Sequence, residues 1–381
     1  MTLLITYLAI ALLFSFLCSI LEAALLSTSS VFIDMKLKEG KKYARRLDHY
    51  KKNIDLPLSA ILTLNTFAHT IGAAGVGSQA QELWGEEYLT IVSVILTLVI
   101  AGPVYAYRMP EDLTETCDPV LQKGLEQCLI SLNLKKATHH KFLSIVLVDI
   151  TNPSSPRMAY VNPNEMMYAA SLPKIAILLG AFERISNGEM TLDKKTWQKL
   201  AHMIRNSSNR AATEILNQVG KVYLANLLQS PRYRLYDPQK NGGLWVGKEY
   251  SKSGAWKRDP LHNLSHGATA LQVARFYYLL QTGRLVSPER SRQMKSILSN
   301  PAIEHKFVKG LKSVHPDSRI YRKSGTWKQY HSDSAIIEHD GRRYIAVALA
   351  KSRRGGKWLS DLIVAMDNLI FKSAPTDLSN N

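Results

Sequence analysis

A chain of 381 residues has room for two or three domains, and its 46% hydrophobic and 21% charged content excludes wholesale disorder. A net charge of +17, from 48 basic against 31 acidic residues, points to an anionic partner: nucleic acid, lipid headgroups or cell-wall polymer. No zinc-finger spacing, RNA-recognition signature or base-reading basic helix is present, so nucleic acid gives way to a solvated basic surface on a membrane-associated protein.

Residues 2–33 are apolar for long enough to cross a bilayer, with Glu22 as their single charge. They lack the basic start and small-residue end of a cleaved signal peptide. The segment MKLKEGKKYARRLDHYKK that follows is dense in Lys and Arg, which places it on the cytoplasmic side. Residues 56–80 are rich in small and polar side chains, and 88–106 are apolar throughout. At membrane depth, Asn65 and His69 would face other helices or a water-filled cavity. The run 88–106 also reads as an export signal, because AGPVYA sets Val104 and Ala106 at the two decisive small-residue positions. Three full spans would leave the rest of the chain in the cytoplasm. If 56–80 re-enters instead, the rest is exported. The favoured reading is a bacterial inner-membrane protein with a periplasmic C-terminal domain.

The stretches EAALLS, NIDLPLSAILTLNTFAHTIGAAGVGSQAQELWG and YLTIVSVILTLVI resemble the transmembrane domain of the cyclin M/CorC magnesium and divalent-cation transporters, over about residues 5–100. The resemblance implies a cation site lined by polar residues of the first span, an Asn of the second and a Glu of the third. Ser19, Glu22 and Asn65 are the corresponding positions. The likeness stops at residue 101, where the Glu-Ile-Ile-Pro-Lys stretch with the third-span carboxylate is absent. A hard cation needs several oxygen ligands, and losing a carboxylate weakens such a site. Residues 1–106 are therefore read as a truncated transporter domain used as an anchor, with residual ion handling as the alternative.

From 107 to 373 the texture is mixed, followed by a polar tail over 374–381. Cys117 and Cys128 flank ten residues that read as a helix, which would hold the thiols about 15 Å apart, beyond disulfide reach. FLSIVLVDI and PRMAYVNP read as a hairpin of two strands. Apolar helical runs follow at 171–187, 195–204 and 210–228, then a loop-like Gly-, Pro- and Lys-rich stretch, 229–262. ATALQVARFYYLLQTG is another helix, with Gly283 as its stop. RIYRKSGTW and HSDSAIIEHDGRRYIAVALA alternate strands and turns, with a hairpin turn at Asp340-Gly341. A last helix, KWLSDLIVAMDNLIF, closes the domain. Helices interrupting an antiparallel sheet built from both chain ends define an α+β fold with a helical lobe.

The motif of most chemical interest is YAASLPKIAILLGAFE. At i and i+3, Ser171 and Lys174 share a helix face, and Pro173 falls in the first turn, where a missing N–H costs nothing. Backbone N–H groups at a helix start favour an alkoxide and the oxyanion it generates. A lysine pressed against IAILLGAF loses its proton more readily and becomes a candidate general base. Two further triplets follow in order: Ser207-Ser208-Asn209 before an amphipathic helix, and Lys323-Ser324-Gly325 at the start of a strand.

Ser-x-x-Lys, Ser-x-Asn and Lys-Ser/Thr-Gly in that order resemble the penicillin-recognising serine enzymes, class A β-lactamases and penicillin-binding proteins, over about residues 120–372. The resemblance implies that Ser171 is the acylating nucleophile and that Lys174 takes its proton. Ser207 with Lys323 passes a proton to the departing nitrogen, and Asn209 donates to a substrate amide. The N–H groups of Ser171 and Trp327 form the oxyanion hole, and the Ser324-Gly325-Thr326 run with Lys323 holds substrate. The gap between the first two motifs is shorter than in class A enzymes, which implies a reduced helical lobe. The Glu-x-x-x-Asn of their Ω-shaped loop is absent: Asp237, Glu249 and Asp259 do not sit in that pattern, and GGLWVGKEYSKSGAWKRDP reads as a Gly-turn hairpin bearing Trp245 and Trp256. No cofactor is expected. Three functions follow: a membrane-anchored serine hydrolase acting on a β-lactam or cell-wall peptide, a divalent-cation transport protein with a passenger domain, or a catalytically silent peptidoglycan-binding domain.

Overall fold

The computed structural model describes residues 113–372 (save 154 and 252–253), the helix Asp55–Trp84 and scattered positions between 5 and 50. The chain divides into two compact units, Met1–Arg108 and Met109–Asn381, two residues beyond the boundary read from sequence. In the first unit, helix α1 (Asp55–Trp84) takes in the whole of the 56–80 segment. Its small and polar residues dilute its apolarity, and among the described residues no helix is long and apolar enough to cross a membrane. Asn65 lies on α1, but its side chain, like that of His69, falls outside the described set; so do Ser19, Glu22 and the run 88–106.

The second unit opens with α2 (Pro119–Ser131), where the Asp118 carboxylate caps the helix by accepting from Leu121 N–H at 2.7 Å. Helix geometry keeps Cys117 and Cys128 apart, and both are free thiols. After α3 (Lys135–His139) come β1 (Leu143–Asp149) and β2 (Arg157–Val161), the expected hairpin, with Val146 opposite Tyr160. At the far end of the chain lie β8 (Arg319–Trp327), β9 (Tyr330–His339) and β10 (Arg342–Lys351). These five form one antiparallel sheet, order β2-β1-β10-β9-β8, in which β1 pairs with β10. The apolar run of β1 is continuous because both faces of the sheet are covered. Leu143, Ile145 and Leu147 join one core with α2 and the final helix α11 (Gly355–Lys372). Val146 and Val148 join the other, which holds the helical lobe.

That lobe begins after the short strand β3 (Met167–Tyr168) with α4 (Lys174–Ser186) and α5 (Lys194–Arg205). The single helix expected over 210–228 is broken at Gly220, whose φ of +87° few other residues adopt, into α6 (Asn209–Val219) and α7 (Lys221–Gln229). The stretch 229–262 carries short strands rather than only loop: β4 (Tyr236–Asp237), β5 (Gly242–Gly243) and β6 (Trp245–Val246). The double glycine pairs with β4, so the expected hairpin bearing both tryptophans does not form; β6 pairs instead with β7 (His266–Ala268). Then come α8 (Ala270–Gln281), α9 (Pro288–Leu298) and the short α10 (Phe307–Lys312).

Candidate active site

The turn that carries Ser171 is a tight link from β3 to α4. Ala170 takes a left-handed φ of 51°, and α4 starts at Lys174, so Ser171 sits in the turn just ahead of the helix rather than on it. Residues 175–182 of α4 are buried on every side, and this packing draws Lys174 fully out of water. Burial pulls its pKa down to about 7. Its amine donates to Ser207 O at 2.6 Å and Asn209 Oδ1 at 2.7 Å, with Ser207 Oγ at 3.5 Å, and it lies 4.5 Å from the centre of the Tyr250 ring. No carboxylate pairs with it, and no hydrogen bond joins it to Ser171 Oγ among the described residues.

Ser207 occupies the α5–α6 turn with a φ of 57°. The cap of α6 is Ser208, whose Oγ accepts from Ala211 N–H at 3.2 Å, which leaves the side chains on either side of it free to meet the lysines. From the facing sheet, Lys323 donates to Ser207 Oγ at 2.9 Å and Ser324 O at 2.7 Å. Ser207 Oγ thus lies within reach of both amines. Lys323 is also buried, and desolvation, reinforced by the charge of Lys174, holds its pKa well below the usual lysine value.

Gly325 lets β8 press against the Ser171 turn. A Cβ there would lie 2.2 Å from Ala169 O and 2.7 Å from Ser171 N, distances no side chain tolerates. Ser332 Oγ, across the ladder on β9, donates to Ala169 O at 2.9 Å and fixes the same junction. Pairing runs unbroken through Gly325 opposite Ser332, without a bulge. On the next residue, Thr326 Oγ1 accepts from Lys306 at 2.8 Å, and Lys306 also donates to Gly325 O at 2.6 Å. Ser324 is buried beneath the cleft, because alternate residues of a strand turn to opposite faces.

The sites expected to hold substrate thus separate. Ser171, Asn209, Thr326 and Trp327 line a cleft of about 690 Å³, whereas Lys174, Lys323, Ser324 and Gly325 are buried and Ser207 is half-buried. Trp327 is 55% exposed at its rim and pairs with Tyr330 across a two-residue turn. In such a hairpin the closing pair is hydrogen-bonded and the next pair is not. By that alternation the Trp327 N–H turns inward to Tyr330, and the Thr326 N–H turns away from β9. Sequence reasoning missed the aromatic wall: Tyr168, Tyr250, His266 and Tyr330. Tyr168 stands three residues before Ser171, but nothing in the pattern of 229–262 marked Tyr250 for the cleft. Desolvation pulls the His266 pKa to about 4, so its ring is neutral near pH 7. Glu249 also lines the cleft, tied to Lys221 at 2.5 Å.

Residues 131–199 and 195–372 match the β-lactamase enzyme family, and the chain belongs to that family. Residues 6–104 match the cyclin M transmembrane N-terminal domain. Among solved structures the chain is similar to PBP-A, at 15% identity and a TM-score of 0.52, covering 70% of this chain and 100% of that one. A β-lactamase from Chitinophaga pinensis gives 15% identity and 0.53, over 65% and 100% of the two chains. A class A representative from Bacteroides cellulosilyticus gives 14% and 0.52, over 67% and 98%. Likeness at this identity carries the fold alone. No curated protein matches the chain significantly.

Proposed function

We propose that the C-terminal domain is a serine hydrolase of the β-lactamase and penicillin-binding superfamily that forms an acyl-enzyme at Ser171. One observation carries the reading: two buried lysines, neither hydrogen-bonded to a carboxylate, converge on Ser207 beside the Ser171 turn. A cationic pair would be costly there, so at least one amine stays neutral. Neutral Lys174 takes the Ser171 hydroxyl proton as Oγ bonds to the substrate carbonyl carbon. The carbonyl oxygen becomes an oxyanion, held by the N–H groups of Ser171 and Thr326. The β8 register favours Thr326 over Trp327 for the second donor. Each donor of this kind is worth about 3–4 kcal/mol in a dry site. Collapse breaks the C–N bond, and Ser207, supplied by Lys174 and Lys323, protonates the leaving nitrogen. Asn209 and Thr326 position the substrate.

The substrate is a β-lactam or a cell-wall peptide, and a PBP-A variant whose structure is an acyl-enzyme complex with penicillin G shares this fold. Water release is slow in this reading, because Glu249, the carboxylate that lines the cleft among the described residues, is engaged by Lys221. Residues 6–104 anchor the domain to a bacterial inner membrane, with the cleft on the periplasmic side where wall peptide is available. Fluorescent penicillin should label the full chain covalently and stay attached for many minutes; a folded protein that takes no label overturns the reading. A reporter fused to the C-terminus should read periplasmic, and a cytoplasmic signal would remove the wall-peptide substrate.

A further inference from the structure

Far from the cleft, on the opposite face of the sheet, three potential ligands come from three separate elements. Asp367 of α11 is 1% exposed, His339 closes β9, and His315 lies in the loop before β8. The His339 Nε2 is 2.6 Å from Asp367 Oδ1, and the His315 Nε2 is 3.2 Å from Asp367 Oδ2. The rings of the two histidines stack with centroids 4.4 Å apart, and Phe371 stacks on His339 at 4.7 Å. One potential ligand atom from each residue lies within 4.8 Å of the others.

The groups around the cluster are placed as the outer partners of a cation site. The second nitrogen of His339, Nδ1, faces Asp340 Oδ2 at 3.0 Å, while the Tyr344 hydroxyl donates to Asp367 Oδ1 at 2.6 Å. With a cation on Nε2, Nδ1 is left to face Asp340. That is the carboxylate–histidine–metal arrangement that orients metal-bound imidazoles, and Tyr344 orients the carboxylate in the same way.

We propose that His315, His339 and Asp367 bind one zinc-like divalent cation. Two imidazoles and a carboxylate suit Zn²⁺, whose tetrahedral ligands sit about 2.0–2.2 Å from the metal. The ligand atoms need to rearrange by about an ångström: the His339–Asp367 pair opens to admit the ion, and His315, partly exposed, has room to move. Its exposure also leaves the fourth position to water. The cation would tie the C-terminal helix to the sheet and to the loop ahead of β8, a structural role separate from acyl transfer.

Cobalt(II) chloride and zinc chloride titrations of the full chain in detergent test this. The expected result is the visible d–d absorption of tetrahedral Co²⁺ at one equivalent, its displacement by Zn²⁺, and a higher Tm with Zn²⁺. The His315→Ala variant, with unchanged far-UV circular dichroism, should lose at least tenfold in affinity, and Asp340→Ala should lose less. No tetrahedral absorption, or absorption that survives in His315→Ala, overturns the proposal.

Discussion

Arg322 and Lys323 are neighbours on β8, both buried, yet they live in opposite electrostatic worlds. Arg322 turns behind the sheet and grips Asp333 with two nitrogens, at 2.7 Å each, and its remaining donors reach Ile303 O and the His305 backbone. Lys323 turns toward the cleft and donates to a hydroxyl and a carbonyl, with no carboxylate in ion-pair contact among the described residues. Alternation along one strand thus separates a cation held by a carboxylate from one proposed to serve chemistry. The paired one anchors the fold; the unpaired one meets Ser207 with its proton loosened.

That contrast is breakable, starting with the largest effect. Ser171→Ala should reduce covalent penicillin labelling to background, read by gel fluorescence, with the melting temperature unchanged within about 2 °C. Lys174→Ala should slow acylation by about 10²–10⁴, the usual worth of a positioned base, measured by stopped-flow labelling. On the other side of the strand, Asp333→Ala should leave a buried guanidinium unpaired and cost about 3–5 kcal/mol in denaturant unfolding. If it slows labelling without destabilising the fold, the division between the two faces is gone.

The acidity dependence sharpens the same point. In the proposed mechanism Lys174 acts as the neutral amine, and burial lowers its pKa to about 7. Acylation should therefore fall about tenfold for each pH step below 7 and level off above it. A rate flat from pH 5 to 9 would reassign the base. The smallest expected effect is Trp327→Ala at the exposed rim, within about 0.5 kcal/mol in stability and a few-fold in substrate affinity.

Much of this architecture was legible in the chain. The period and β-branched content of 143–161 and 319–351 gave the sheet, and the three triplets gave the residues that gather around Ser207. The helix start was displaced: α4 begins at Lys174, because Ala170 and Ser171 form a tight turn pressed by β8, a tertiary contact that no local pattern encodes. The oxyanion donor read as Trp327 depends on which amides of β8 face outward, and that parity is set by the position of the two-residue turn after residue 327. Tyr250 and His266 escaped notice because they reach the cleft through pairing of β6 with β7, strands of two and three residues that carry too few side chains for a period. Tertiary contact, not composition, decided each of these.

Because β8 is the outermost strand of its sheet, its outer edge beside Ser171 faces no further strand among the described residues. An extended peptide lying in the cleft would therefore find donors and acceptors recurring once per two residues, about 7 Å apart. Such a border measures where a bond sits along a chain before it senses which side chains flank it, so a wrong alignment would be refused by spacing alone.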